Sequence, residues 1–187
     1  PLIEACRFAE SKDARIPGFG KRLYDFVKPL FPDADAPHRR LNKAACLLHD
    51  VSWRAHPDYR AEICFDNATR ANLGGLKHSE RVFLGSALLF RYRNKREGTH
   101  FEELFELLDF EGQQGAEVLG KAMRLGAMLW MEKLTKEEAH LLWDPDKRLL
   151  SLCLSEQSSL LYGEVTEARF IALAAALNAE DYQMQII

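Results

Sequence analysis

From its start to about residue 134 the chain repeats one pattern: apolar residues return every three or four positions, and short groups of turn formers close each stretch. That spacing lays one apolar stripe along a helix and gives no alternating face to a strand. It is clearest over residues 21–31, where Leu23, Phe26, Val27 and Leu30 fall at i, i+3, i+4 and i+7. The same reading predicts helices over 2–11, 38–52, 57–71, 80–93, 101–108 and 113–134, seven in all with short links. Punctuation supports the divisions. Pro32-Asp33-Ala34-Asp35-Ala36-Pro37 reads as a loop, and Pro57 suits a first helical turn. Gly74-Gly75 is expected to end the fourth helix, and Ser79 to cap the fifth.

The pattern then changes. Leu150, Leu152 and Leu154 alternate with Ser151, Cys153 and Ser155, the period-two signature of a half-buried strand. Glu156-Gln157-Ser158 reads as a turn into a second strand over 159–163. Thr166 is expected to cap a helix bearing Phe170, Ile171, Ala174 and Leu177, and Tyr182, Met184 and Ile186 mark a third strand. The expected fold is mainly α: a helical bundle over 1–134, followed by a small α+β appendage over 135–187.

The bulk composition is that of a soluble globular protein, with 187 residues, 47% hydrophobic and 28% charged. No apolar run approaches the roughly 20 residues that span a bilayer, and no signal-peptide pattern opens the chain. No membrane partner is expected, and the location expected is the cytoplasm. Cys6, Cys46, Cys64 and Cys153 have no paired spacing and read as reduced core cysteines. The net charge of −3 argues against a specific nucleic-acid partner, yet the charge is uneven. Residues 39–96 hold 12 Lys+Arg against 5 Asp+Glu, which leaves a net −10 elsewhere. A basic middle in an acidic chain suits an anionic partner, although solvated helix faces would give the same count.

His49-Asp50 closes an apolar helix. One imidazole nitrogen and one carboxylate suit a divalent transition metal, but the same pair can serve as a local helix-end cap. Its context adds meaning. The string Ala44-Ala45-Cys46-Leu47-Leu48-His49-Asp50-Val51-Ser52-Trp53 is followed by His56-Pro57-Asp58-Tyr59-Arg60. Next comes Ala87-Leu88-Leu89-Phe90-Arg91-Tyr92-Arg93-Asn94-Lys95-Arg96, then Ala122-Met123-Arg124-Leu125-Gly126-Ala127-Met128-Leu129. In that order, these blocks resemble the C-terminal half of the exopolyphosphatase/guanosine pentaphosphate phosphatase (Ppx/GppA) family. There they read A-A-x-L-H-D-I-G, a His-rich turn, A-x-x-x-R-Y-H-x-K and L-R-L-A-D. Pro1-Leu2-Ile3-Glu4-Ala5-Cys6 also looks like an internal stretch of such proteins, so the resemblance covers essentially the whole chain.

The resemblance implies an HD-domain-like helical bundle with a small α+β tail. It would be the C-terminal part of an enzyme that releases terminal phosphate from inorganic polyphosphate, and possibly from pppGpp. It further implies that catalysis and a divalent metal, Mg, belong to an actin-like domain outside this chain. This part would bind the polymer and support a homodimer, with no cofactor of its own and no catalytic residue assigned. The departures concern the metal. An HD hydrolase needs an earlier His, where Phe19 stands, and a last Asp, where Ala127 stands. His49 and Asp50 are then only weak metal candidates. The candidate polyphosphate binders are Arg39, Arg40, Arg54, His56, Arg60, Arg91, Arg93, Lys95 and Arg96, since guanidinium forks match phosphate oxygens. The run 91–96 can equally be a helix C-terminus answering the helix dipole. The alternative function is a stand-alone, metal-dependent HD-type phosphohydrolase, and a third is an interaction module without a small ligand.

Overall fold

In the computed structural model, which describes residues 1–129 and 137–187, the helical stretches form where the spacing puts them. They are α1 (Leu2–Asp13), α2 (Phe19–Val27), α3 (Ala36–Leu48), α4 (Pro57–Arg70), α5 (His78–Phe90) and α6 (Phe110–Met128). α2 tightens into a 3-10 turn over Lys28–Leu30, and the expected helix at 101–108 is a 3-10 segment, Glu102–Leu107. The expected continuation of α6 to 134, and the division of the chain at 134/135, lie outside the described residues.

Several helix ends shift by a few residues from expectation: α3 closes at Leu48 rather than 52, so His49-Asp50 lies past it, α5 ends at Phe90 rather than 93, and α6 opens at Phe110 rather than 113 on an Asp109 cap. At three further ends other groups satisfy the backbone. α5 begins at His78, where the Glu80 carboxylate reaches back to the Lys77 backbone N–H (2.8 Å), so Ser79 lies inside the helix. α4 ends at Arg70, ahead of Gly74-Gly75, and Arg81 donates to the carbonyls of Ala71 and Leu73 in the linker. The last helix starts at Glu164, two residues before Thr166, whose hydroxyl donates back to Leu161.

The appendage holds β1 (Ala139–Asp144), β2 (Leu149–Leu154), a short turn α7 (Glu156–Ser159), α8 (Glu164–Ala176) and β3 (Asp181–Ile186). β1 pairs antiparallel with β2, opposing Leu141 to Leu152, and β3 pairs parallel on the other side, opposing Met184 to Leu152. The expected strand over 159–163 does not form. The Ser155 hydroxyl accepts from the Ser158 N–H and opens a helical turn instead. β1 was not foreseen, because its adjacent Leu141 and Leu142 break alternation: one is buried, the other exposed. Ser151 and Cys153 are buried like the leucines, since β2 is the central strand and covered on both faces.

One apolar core runs through helices and sheet alike, from Leu2 and Leu23 through Leu89 and Leu125 to Leu150 and Phe170. Two glycines set how closely its helices approach. A Cβ at Gly20 would meet the Cys46 carbonyl oxygen and Leu47 Cα at 2.7 Å, so α2 lies directly on α3. At Gly120 it would meet Phe90 Cβ at 2.4 Å and the Ala87 oxygen at 2.5 Å, which seats the end of α5 on α6. Cys6, Cys46, Cys64 and Cys153 are all buried and free. Among the described residues no helix is long and apolar enough to cross a membrane.

Candidate functional site

α3 ends at Leu48, and His49 and Asp50 follow in the turn that leads to α4. Burial there comes from three sides. Phe19, the first residue of α2, sets its ring 5.4 Å from the His49 ring. Tyr92, just past α5, donates its hydroxyl to the His49 carbonyl at 2.8 Å. Trp53 donates its indole N–H to the Asp13 carbonyl at 3.0 Å, clasping the α1–α2 linker against the same turn.

That linker delivers a cation. Arg15 donates from Nη2 to Asp50 Oδ1 (2.5 Å), from Nε to Oδ2 (2.9 Å), and from its backbone N–H to Oδ2 (3.1 Å). Asp50 is 1% exposed and Arg15 39% exposed at the side chain. Burial alone would raise the Asp50 carboxyl, but the Arg15 hydrogen bonds and charge outweigh it and hold the group below its ordinary value. His49 is only 2% exposed, and its Nδ1 has no hydrogen-bond partner. Burial, and then the nearby Arg91 charge, push its pKa down to about 3 against the pull of Asp50, so the ring is neutral.

A divalent metal does not fit this donor set. Both Asp50 oxygens are engaged by a guanidinium, an aromatic ring stands where the first imidazole would be, and Ala127 on α6 offers no ligand atom. Among the described residues no group of three or more His, Cys, Asp or Glu side chains is arranged to hold a metal ion.

The nine candidate binders do not converge on one surface. Arg39 and Arg40 sit in the first turns of α3. Arg39 donates to the Ala34 carbonyl, and Arg40 to the Gly75 carbonyl (3.1 Å) and Glu80 (2.8 Å). They lie at the start of α5, while 91–96 lie past its other end, about 20 Å away for a 13-residue helix. His56 is the N-cap of α4, its Nδ1 accepting from the Asp58 N–H. Arg60 donates to the Ala55 carbonyl and lies over the Tyr92 ring. Arg54 is exposed, over Trp53.

The remaining four gather near the end of α5. Arg91 is buried against Tyr92, and Arg93 reaches Glu62 (3.5 Å) and the Glu97 carbonyl (3.2 Å). Arg96 donates to Gln113 (2.5 Å), and Lys95 is exposed. Lys95, Arg96 and Lys121 line a cavity of about 470 Å³ between the end of α5, the first half of α6 and the end of α8. Gln114 ties the far wall by donating to the Ala176 carbonyl at 3.1 Å.

A sequence model described as exopolyphosphatase, C-terminal, matches residues 13–183. The chain belongs to that family. No curated protein matches it. Three polar residues important to this geometry escaped the sequence reading. Arg15 lies in a linker whose spacing carries no pattern. Arg124 stands within the last motif block with no role assigned there, Arg169 lies on a helix that also carries Glu164 and Glu167, and only the contact of α6 with α8 brings the two together.

Proposed function

We propose that this exopolyphosphatase C-terminal part engages the inorganic polyphosphate chain, while release of the terminal phosphate takes place on another part of the enzyme. The observation that carries this is the cavity of about 470 Å³ past α5, lined by Lys95, Arg96 and Lys121 and flanked by Arg93. Glu97 and Glu117 line it too, and Glu117 is paired with Lys121 at 2.5 Å, so the cavity's positive charge rests mainly on Lys95 and Arg96. A polymer with a charge on every unit gains from such spaced cations, each worth about 1 kcal/mol or less when exposed and screened by salt. Binding of pppGpp and assembly into a homodimer belong to the same reading, on the family resemblance. The His49-Asp50 turn serves this function as a scaffold: through Tyr92 it fixes the exit of α5, from which the basic run emerges.

The test is a titration of long-chain polyphosphate at low and high salt. The full chain should bind, and more weakly as salt rises. The Arg93→Ala/Lys95→Ala/Arg96→Ala variant should bind several-fold more weakly with a shallower salt dependence. Binding that ignores salt, or a triple variant with unchanged affinity, would remove this surface from the function. Metal-dependent phosphatase turnover abolished by His49→Ala would replace the reading with a stand-alone hydrolase.

A further inference from the structure

A guanidinium withdrawn from water ordinarily finds an acid. Three in this chain do not. Arg91 is 7% exposed, and its Nε has no hydrogen-bond partner. Arg124 on α6 and Arg169 on α8 are half-buried and line a second pocket, of about 250 Å³, with Asn94, Lys121, Ala168 and Ala172. Arg169 Nη1 makes a long contact, 3.5 Å, to the Arg124 carbonyl oxygen, and no carboxylate pairs with any of the three among the described residues. Burial first, and then the charges of Arg124 and Arg91, push Arg169 down to about 10 with no acid to offset them. Burial also lowers Arg124, and it lowers Arg91 against a partial offset from the Asp50 charge. Ala168 and Ala172, one turn apart, leave the guanidiniums uncovered on the α8 side. Asn94 and Lys121 line both this pocket and the cavity at the end of α5, so the two adjoin.

We infer that this pocket is an inner oxyanion subsite, in which Arg124 and Arg169 clamp a phosphoryl group of a polyphosphate chain entering past Lys95 and Arg96. Arg91, buried outside the pocket lining, adds positive charge that Arg169 feels. The inference rests on the polyphosphate reading but uses residues outside the exposed run. A phosphoryl group supplies what the three cations lack, namely acceptors for forked donors and a compensating charge. The volume has room for several water-sized groups of about 30 Å³ each.

Tripolyphosphate titrated against the full chain, with the arginine Nε–H resonances followed by NMR, tests this. The Arg124 and Arg169 signals should shift and saturate, and Arg124→Gln or Arg169→Gln should each weaken binding about tenfold or more. Both variants should remain at least as heat-stable as the parent, because each removes one of three mutually repelling charges. Arg93→Ala/Lys95→Ala/Arg96→Ala should still saturate with tripolyphosphate. Shifts that never saturate, or affinities unchanged in both glutamine variants, overturn the subsite. Tighter binding of GTP than of tripolyphosphate by tenfold overturns its assignment to the inorganic polymer. If long chains bind but tripolyphosphate leaves Arg124 and Arg169 unmoved, the subsite fails and the outer surface stands. If tripolyphosphate saturates the pocket while long chains do not bind, the outer surface fails and the subsite stands.

Discussion

Replacing Arg15 with Met isolates the ion pair that closes the His49-Asp50 turn. Methionine keeps an apolar stem beside Trp53, whose ring lies 5.6 Å from the guanidinium, and removes only the charge and its donors. Asp50, 1% exposed, would keep its carboxylate with only the backbone N–H of residue 15 left as a donor, to Oδ2. Breaking a fully buried pair costs about 3–5 kcal/mol. Here Arg15 is 39% exposed, so water already screens one side and enters easily when it leaves, which lowers the expected loss to about 2 kcal/mol. For a chain of this size that is a fall in Tm of about 4–8 °C. The pH dependence gives a second handle. In the parent the Asp50 carboxyl titrates below its ordinary value, so the stability it contributes is complete above about pH 4 and is lost as pH falls through the lower folded value. In the variant, burial, the largest effect, is opposed only by the backbone N–H of residue 15 and by His49, so the carboxyl titrates higher than in the parent and acid relieves part of the penalty. Urea unfolding at pH 7.5 and pH 5 should show the gap between parent and variant narrowing at the lower pH. Adding Asp50→Asn to the variant should recover part of the loss at pH 7.5. A loss below about 0.5 kcal/mol at pH 7.5, or an equal loss at both pH values, would refute the assignment of Arg15 as the compensating cation.

His49, with its pKa near 3, should keep a stationary Cε1–H resonance from pH 8 to pH 5, and a midpoint near 6.5 would contradict its burial. The unfolded chain takes up a proton there that the folded chain refuses, so this group lowers stability as pH falls below about 6.5, down to its folded value. Gly120→Ala should cost about 3 kcal/mol or more in denaturant unfolding, because the new Cβ falls 2.4 Å from Phe90 Cβ and 2.5 Å from the Ala87 oxygen. Parent-like stability would mean that α5 can move away from α6.

The helical part was legible because its signal is local. Leu23, Phe26, Val27 and Leu30 declare α2 and the turn after it without reference to any other element, and all four are buried. The sheet was less legible because its order is not local. β2 carries its alternation openly, but β1 becomes a strand by pairing with β2, and nothing within its adjacent leucines says so. The 159–163 stretch has β-forming residues, yet the Ser155 hydroxyl decided the conformation of the residues before it. The same division runs through the site. Phe19 and His49 were paired by motif order and lie ring against ring. The partner of Asp50 came from a linker, and the partners of Arg91 from helix faces, positions where no spacing rule applies.

The chain treats its buried charges in two opposite ways, and the contrast bears on function. At the His49-Asp50 turn an internal cation meets an internal anion with three donors, and the imidazole beside them is kept neutral. That arrangement is complete and leaves Asp50 no free oxygen to offer a ligand. Arg124 and Arg169 are withdrawn from water with no carboxylate paired to either, and buried Arg91 has only the charge of Asp50 as a partial offset, although α6 could have supplied an acid within a turn, as Glu117 does for Lys121. Uncompensated burial of like charges opposes folding, and a sequence that carries it gains nothing in stability. Departures of this kind concentrate where a protein meets its ligand. On the proposed reading, function rests on the α5–α6–α8 groove, where a polyanion would complete the charge balance, and the His-Asp turn would hold that groove in place.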